Sequence, residues 1–224
     1  MNARTRILQR LTSVDFRDSP PLPDVAAYYD CHRQSETLAA QLERFKVAIT
    51  AAHAEVIETD AAGWPARLAE IATAKSLRTL LIGANSPDAR QIAAAAPHGL
   101  ELVTYDRAVD AWRDELFTGI DAGLTRARSA IAATGSLVLW PDAAEPRLMS
   151  LVPPVHFVLL DARALHADLH AAMTAEGWSG TLPTNALLIS GPSKTADIQQ
   201  TLAYGAHGPR ELVVLIVHPA GGAQ

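Results

Sequence analysis

Short apolar runs alternate with amphipathic stretches from residue 55 to the end of the chain. The apolar runs have the length of strands, and the stretches between them have the 3.6-residue periodicity of helices, an alternation typical of βαβ units. The predicted strands are 55–58, 79–83, 100–104, 135–140, 155–160, 185–190 and 211–217. The predicted helices are 65–75, 87–96, 107–117, 163–175 and one after Thr195. Since most of the later strands are apolar on both faces, the sequence predicts a largely parallel sheet with flanking helices.

The first 55 residues have a helical pattern that is interrupted by the proline-rich stretch 18–24. Three prolines in four positions exclude a continuous helix there. The next helix, of about 20 residues, has a single apolar stripe at helical spacing. The stripe comprises Leu38, Leu42, Phe45 and Ile49. We therefore predict an N-terminal helical extension over 1–54 and one α/β domain over 55–224.

Charge and composition exclude several classes of protein. The 19 Lys and Arg residues against 24 Asp and Glu residues give a net charge of −5, so we expect no nucleic-acid partner and no anionic membrane surface. No apolar run approaches the roughly 18 residues of a membrane span, and the N-terminus lacks the apolar core of a secretory signal. We expect a cytoplasmic protein. The single cysteine, Cys31, is expected to be structural, because a disulfide needs two thiols and an ordinary iron–sulfur cluster several.

The stretch 189–198 has the densest candidate chemistry, a strand end followed by a tight polar turn and a predicted helix start. Ser193, Lys194 and Thr195 are placed to hold a phosphate or carboxylate at the end of that strand. Alternatively, Thr195 caps the helix, Asp197 complements its dipole and Lys194 is solvated. The turn is not a Walker A loop, because serine and leucine stand at 193 and 188, where that motif needs glycines.

Two further turns contain candidate binding residues. His207 lies between Gly205 and Gly208, where it can act as an acid, a base or a hydrogen-bond donor to a ligand. Thr134, Gly135 and Ser136 follow a predicted helix and precede a strand, so they form either a ligand-binding turn or an ordinary one.

Metal binding is not indicated by the remaining histidines. His166 and His170 are one turn apart on a predicted helix, but the sequence between them is not that of a zinc protease. His156, in a buried strand, is predicted to be a hydrogen-bonded core residue.

Four motifs in order together resemble the lactate utilization protein C family, also called the LUD domain family. The motifs occupy residues 134–139, 147–156, 189–198 and 205–209. This resemblance implies a fold similar to the ribose-5-phosphate isomerase and CoA-transferase group. It also implies a non-redox role in oxidising L-lactate to pyruvate, with partner proteins that carry the iron–sulfur clusters and no cofactor in this chain. One departure is Ala133, where the family commonly has an acid.

This resemblance, together with the polar turns, predicts a pocket for a small carboxylate or phosphorylated ligand. The predicted binding residues are Thr134, Gly135, Ser136, Gly191, Ser193, Lys194, Thr195, His207 and Gly208. One alternative is an independent enzyme acting on a sugar phosphate, a folate or a CoA-like substrate, as the wider fold group suggests. Another is a scaffold that binds partner subunits through an exposed helix at 38–49.

Overall fold

A computed structural model describes residues 2–13, 21–33, 35–84, 86–196 and 202–219, without the side chains of residues 196 and 202. The chain forms two compact units, residues 1–34 and 35–224. The first unit contains helices α1 (Ala3–Thr12) and α2 (Val25–His32), whose N-termini are capped by the side chains of Asn2 and Asp24. Cys31, which we expected to be structural, is exposed on α2.

The second unit contains the remaining helices and all the strands of the described chain. Its helices are α3 (Leu38–Ala51), α4 (Trp64–Ala74), α5 (Pro87–Ala95), α6 (Arg113–Thr118), α7 (Leu169–Ala175) and α8 (Trp178–Thr181). Its strands are β1 (Glu55–Asp60), β2 (Thr79–Gly83), β3 (Glu101–Tyr105), β4 (Ala122–Arg126), β5 (Ser129–Ile131), β6 (Ser136–Leu139), β7 (Val155–Asp161), β8 (Leu165–His166), β9 (Leu187–Ile189), β10 (Lys194–Ala196), β11 (Leu202–Tyr204) and β12 (Glu211–His218).

Six strands form one parallel sheet in the order β1-β12-β7-β4-β2-β3. This confirms the predicted α/β class. Helices α4 and α5 cover one face, where Leu68 and Ile92 pack with Phe157 in a buried cluster. Both helices begin with a proline in the first turn, where the missing N–H breaks no helical hydrogen bond. The apolar strands are thus buried between two layers, as their composition requires.

Helix α3 and a second, smaller sheet cover the other face of the parallel sheet. The predicted stripe on α3 is confirmed at Leu42, Phe45 and Ile49, which are buried against Val158 and Val214. The idea of an exposed docking helix at 38–49 is therefore wrong, because its apolar side is part of the core. The predicted domain boundary after residue 54 stays a prediction; in the structure α3 packs within the second unit.

The smaller sheet has the order β8-β5-β6-β9. The strands predicted at 135–140 and 185–190 are confirmed as β6 and β9, whereas β5 and β8 lie where helices were predicted. The predicted helix before Thr134 is wrong, since residues 129–131 form β5, which pairs with β6. The predicted helix over 163–175 begins only at Leu169, and His166 lies in β8 instead, with its Nε2 3.0 Å from Glu176 Oε1. Strand β9 pairs with β6 in this sheet and does not join the large parallel sheet.

A two-stranded hairpin replaces the helix predicted after Thr195. Lys194–Ala196 pair antiparallel with Leu202–Tyr204, so that prediction is wrong over these residues. The residues between them, including Asp197 with its predicted role at a helix dipole, lie outside the described residues. Thr195 therefore sits in a strand and does not cap a helix.

Candidate functional site

A cavity of about 210 Å³ lies where the turn after β9 meets the loop before β12. The turn contributes residues 188–193 and the loop residues 207–209. The inner wall is made by Ser150, Leu151, His156 and Leu212. Because His156 and Leu212 are the second residues of β7 and β12, the cavity lies at the amino edge of the large sheet. We refer to it below as the hairpin cavity.

Three hydroxyl groups lead into the hairpin cavity. Thr134 Oγ1 lies 2.7 Å from Ser136 Oγ, and Ser136 Oγ lies 2.7 Å from Ser190 Oγ on the cavity wall. A hydroxyl donates one hydrogen bond and accepts two. When Thr134 donates to Ser136 and Ser136 to Ser190, the proton of Ser190 is left to donate to a ligand.

Glycines bring the two polar turns against the end of α3. Gly135 has a φ of +61°, and a Cβ built there would lie 2.6 Å from the backbone nitrogen of Ile49. Gly191 has a φ of +152°, and a Cβ there would lie 2.8 Å from the carbonyl oxygen of Ala52. Both positions thus require glycine for the fold itself. Only Gly191 also lines the cavity.

Backbone hydrogen bonds fix the two loops on either side of the cavity. The Ser193 N–H donates to the Pro209 carbonyl at 2.8 Å, and the Gly205 N–H donates to the Ser193 carbonyl at 2.9 Å. Within the described chain, the N–H groups of Gly191, His207 and Gly208 donate to no protein acceptor. These donors belong to wall residues, and clustered backbone N–H groups of this kind can bind an oxyanion.

His156 makes the buried part of the wall. Its side chain is 1% exposed, and its Nε2 lies 2.8 Å from Thr125 Oγ1. The prediction of a hydrogen-bonded core histidine is confirmed. Burial lowers the pKa of His156 to about 3, so the imidazole is neutral near pH 7. Along the described wall there is no Lys, Arg, Asp or Glu side chain. The polar groups that a ligand can meet are therefore hydroxyls, imidazoles and backbone groups, set among apolar side chains such as Leu188 and Leu212.

The structure brings together part of the predicted site. Gly191, Ser193, His207 and Gly208 line the hairpin cavity. Thr134 and Ser136 reach it through Ser190, and Gly135 supports their turn. Lys194 and Thr195 lie in β10 and do not line the wall, and the side chain of Lys194 is exposed.

Sequence reasoning missed Ser150, Ser190 and the wall position of His156. Ser190 directly precedes Gly191 in the predicted turn, so its position was a usable signal. Ser150 and His156 offered none, because nothing local shows which face of a buried element borders a cavity.

The parallel sheet with two covering layers defines an α/β protein whose polar turns meet at one cavity. The LUD domain family model matches residues 42–217, so the chain belongs to the LUD domain family. An uncharacterized protein of Neisseria meningitidis serogroup B is 40% identical over 98% of this chain and 95% of its own length. Lactate utilization protein C of Exiguobacterium sp. is 28% identical over 96% of each chain.

A solved structure shares the fold. It is the crystal structure of a DUF162 family protein from Deinococcus radiodurans, with a TM-score of 0.59, 22% identity, and coverage of 82% of this chain and 99% of that one. In the described part of the chain, no helix combines the length and apolar character needed to cross a membrane. Among the same residues, no group of three or more His, Cys, Asp or Glu side chains is arranged to hold a metal ion.

Proposed function

We propose that this protein is a non-redox subunit of a cytoplasmic system that oxidises L-lactate to pyruvate, acting with iron–sulfur partner proteins. The observation that carries the proposal is the alignment with a lactate utilization protein C over 96% of both chains. Similarity over the whole length favours a shared role more strongly than a shared motif does. The single cysteine of this chain is too few for an ordinary iron–sulfur cluster, so the proposal assigns electron transfer to partners.

In this proposal the hairpin cavity binds a small carboxylate or a phosphorylated ligand. Its volume of about 210 Å³ is below the range of about 300–1,000 Å³ typical of drug-sized ligands, which favours a small molecule. The available donors are the Ser190 hydroxyl, the Ser193 side chain, the His207 imidazole and the backbone N–H groups that have no acceptor among the described residues. They can bind an oxyanion through hydrogen bonds without a fixed positive charge.

Ligand-dependent stabilisation of the purified protein tests the cavity. We expect one member of a panel of lactate, pyruvate, phosphate, sugar phosphates, folates and CoA to raise the melting temperature. A ligand at 100 times its Kd adds about 2.7 kcal/mol. We expect Ser190→Ala to weaken binding of that ligand about tenfold. The substitution removes the one hydroxyl proton that the hydrogen-bonded series Thr134–Ser136–Ser190 can donate to a ligand. Ser179→Ala, on the exposed side of α8, is the matched control and should have no effect.

The outcomes separate the candidate functions. Loss of stabilisation in Lys194→Ala but not in Ser190→Ala would place the ligand outside the cavity. Turnover of a sugar phosphate, folate or CoA-like compound by the protein alone would favour the independent enzyme. The physiological role is tested by growth on L-lactate of a bacterium lacking its own lactate utilization protein C. Absence of growth with folded protein present would contradict the role.

A further inference from the structure

A second polar cleft lies at the opposite, carboxyl edge of the large sheet. In the order β1-β12-β7-β4-β2-β3, the chain leaves β2 toward β3 on one side and leaves β4 toward β7 on the other. Such a reversal opens a crevice beyond the carboxyl ends of the two strands, where ligands of α/β proteins bind. Here the loop 140–147 folds over that crevice, and the cleft beneath it encloses about 10 Å³, roughly one water molecule.

The loop holds Glu145 at the end of β4. Asp142 Oδ1 accepts hydrogen bonds from the N–H groups of Ala144 and Glu145, which fixes the turn. Glu145 Oε2 in turn accepts the Arg126 N–H at 3.0 Å. Gly83, the last residue of β2, allows the close approach, since a Cβ there would lie 2.5 Å from the Ala144 carbonyl oxygen. The fold thus places a carboxylate at the sheet edge by backbone contacts.

Cationic and donor groups line the same cleft as this carboxylate. The Arg126 guanidinium is held by Asp88, whose side chain is 6% exposed, through bonds of 2.8 Å from Nε and 2.5 Å from Nη2. This pair leaves Arg126 Nη1 without a partner in the described chain, and the Arg147 side chain makes no hydrogen bond or ion pair there either. The indole N–H of Trp140, another wall residue, is buried without an acceptor among the same residues.

The electrostatics leave Glu145 close to half-protonated at neutral pH. Burial, together with the Asp88 and Asp142 carboxylates, raises the pKa of Glu145 to about 7, against the lowering effect of the Arg126 N–H and guanidinium. The other charged groups near the cleft are Arg147 on its wall and Asp161, which acts on Arg126 and is itself paired with Arg163. A half-buried carboxylate whose pKa is raised by its surroundings is typical of functional sites.

We propose that this cleft binds the carboxylate end of a small organic acid between Arg147 and Arg126, and that Glu145 takes up one proton from solvent as the anion binds. The enclosed space holds about one water-sized group, so it admits a single carboxylate oxygen, and the rest of the ligand lies at the open mouth. Two carboxylates in contact cannot both stay ionised, so the proton neutralises Glu145. No covalent bond changes. The site is distinct from the hairpin cavity, from which the Thr125–His156 hydrogen bond separates it, although Ser150 borders both.

Calorimetry of pyruvate binding, in buffers of different ionisation enthalpy, tests the proposal by counting protons. We expect proton uptake on binding at pH 7.5, and an affinity that rises severalfold, at most about tenfold per pH unit, between pH 8 and pH 6. In Glu145→Gln, binding should persist with no proton uptake and with little pH dependence. Arg147→Gln should weaken binding at least tenfold, whereas the matched control Arg67→Gln, on the exposed face of α4, should not.

Three results with pyruvate alone would overturn the proposal. The first is proton uptake that is unchanged in Glu145→Gln. The second is pyruvate affinity that is unchanged in Arg147→Gln, and the third is no detectable binding by the parent protein at millimolar pyruvate. None of these results bears on the lactate role itself, which the growth experiment tests separately. Sulfate serves as the anion without a carboxylate, and equal binding of sulfate and pyruvate would overturn the assigned ligand class.

Discussion

Replacing Gly123 by alanine is expected to destabilise the protein by about 3 kcal/mol. Gly123 lies in β4, at the centre of the large sheet, and the turn 147–150 packs directly on it. A Cβ there would lie 2.3 Å from the Met149 carbonyl oxygen and 3.1 Å from Pro153 Cγ. Neither neighbour is the end of a flexible side chain, so the turn or the strand must move.

Thermal and denaturant unfolding measure this effect. For a chain of this size, about 3 kcal/mol corresponds to a fall of roughly 6–12 °C in melting temperature. Gly180→Ala is the matched control, since a Cβ there meets nothing within 4 Å and the residue lies in α8. The control should be neutral or slightly stabilising, because alanine favours helix more than glycine does. A Gly123→Ala protein as stable as its parent would contradict the packing of this turn on β4.

The same glycine explains why β4 was missed from the sequence. Strands β2, β7 and β12 each contain an uninterrupted run of at least three large apolar residues, and these runs predicted them well. The β4 sequence Ala-Gly-Leu-Thr-Arg has only one such residue, because two of its positions face backbone and polar groups. The contacts that make it a central strand come from Leu80 and Leu81 of β2 and from residues 149–159, all distant along the chain, and no local pattern shows them.

The candidate site residues that lie in turns could be predicted from the sequence, whereas those placed by packing could not. Gly191, Ser193 and His207 were singled out because glycine and small polar residues mark turns after strands. The helix expected after Thr195 was wrong because a polar, small-residue turn precedes a strand of a hairpin as readily as a helix. Glu145 gave no local signal, since it lies in an ordinary-looking Asp- and Pro-containing loop.

Burial and distant partners decide the role of a side chain such as Glu145. Its carboxylate accepts an N–H from β4, and the loop that carries it rests on the last residue of β2. The contacts in β4 and β2 lie 19 and 62 residues earlier in the chain, respectively, so the environment exists only after the sheet has formed. The ionised form of Glu145 lowers the stability of the fold, so selection for stability alone would replace this residue.

Glu145→Gln is expected to raise the free energy of unfolding at pH 8 and to leave it unchanged near pH 4. The folded state holds the pKa of Glu145 at about 7, against the ordinary 4.5, so between these values the folded protein binds a proton that the unfolded chain does not. Stability from this group is therefore lost as pH rises through that window. At about 1.4 kcal/mol per pKa unit, the difference between 7 and 4.5 makes the gain from glutamine on the order of 3–4 kcal/mol at pH 8. Glutamine still accepts the Arg126 N–H.

Denaturant unfolding of parent and variant at intervals from pH 4 to pH 8 gives the difference directly. Burial lowers the pKa of His156 to about 3, so this residue makes both proteins less stable as pH falls below about 6.5, opposite to the effect of Glu145. Taking the difference between parent and variant removes the contribution of His156. Glu101→Gln, at an exposed position on the edge strand β3, is the control and should stay within about 0.5 kcal/mol of the parent at every pH. A Glu145→Gln protein less stable than its parent at pH 8 would show that the carboxylate stabilises the loop. The cleft would then be a structural feature, and the uptake of a proton with an anion would lose its physical basis.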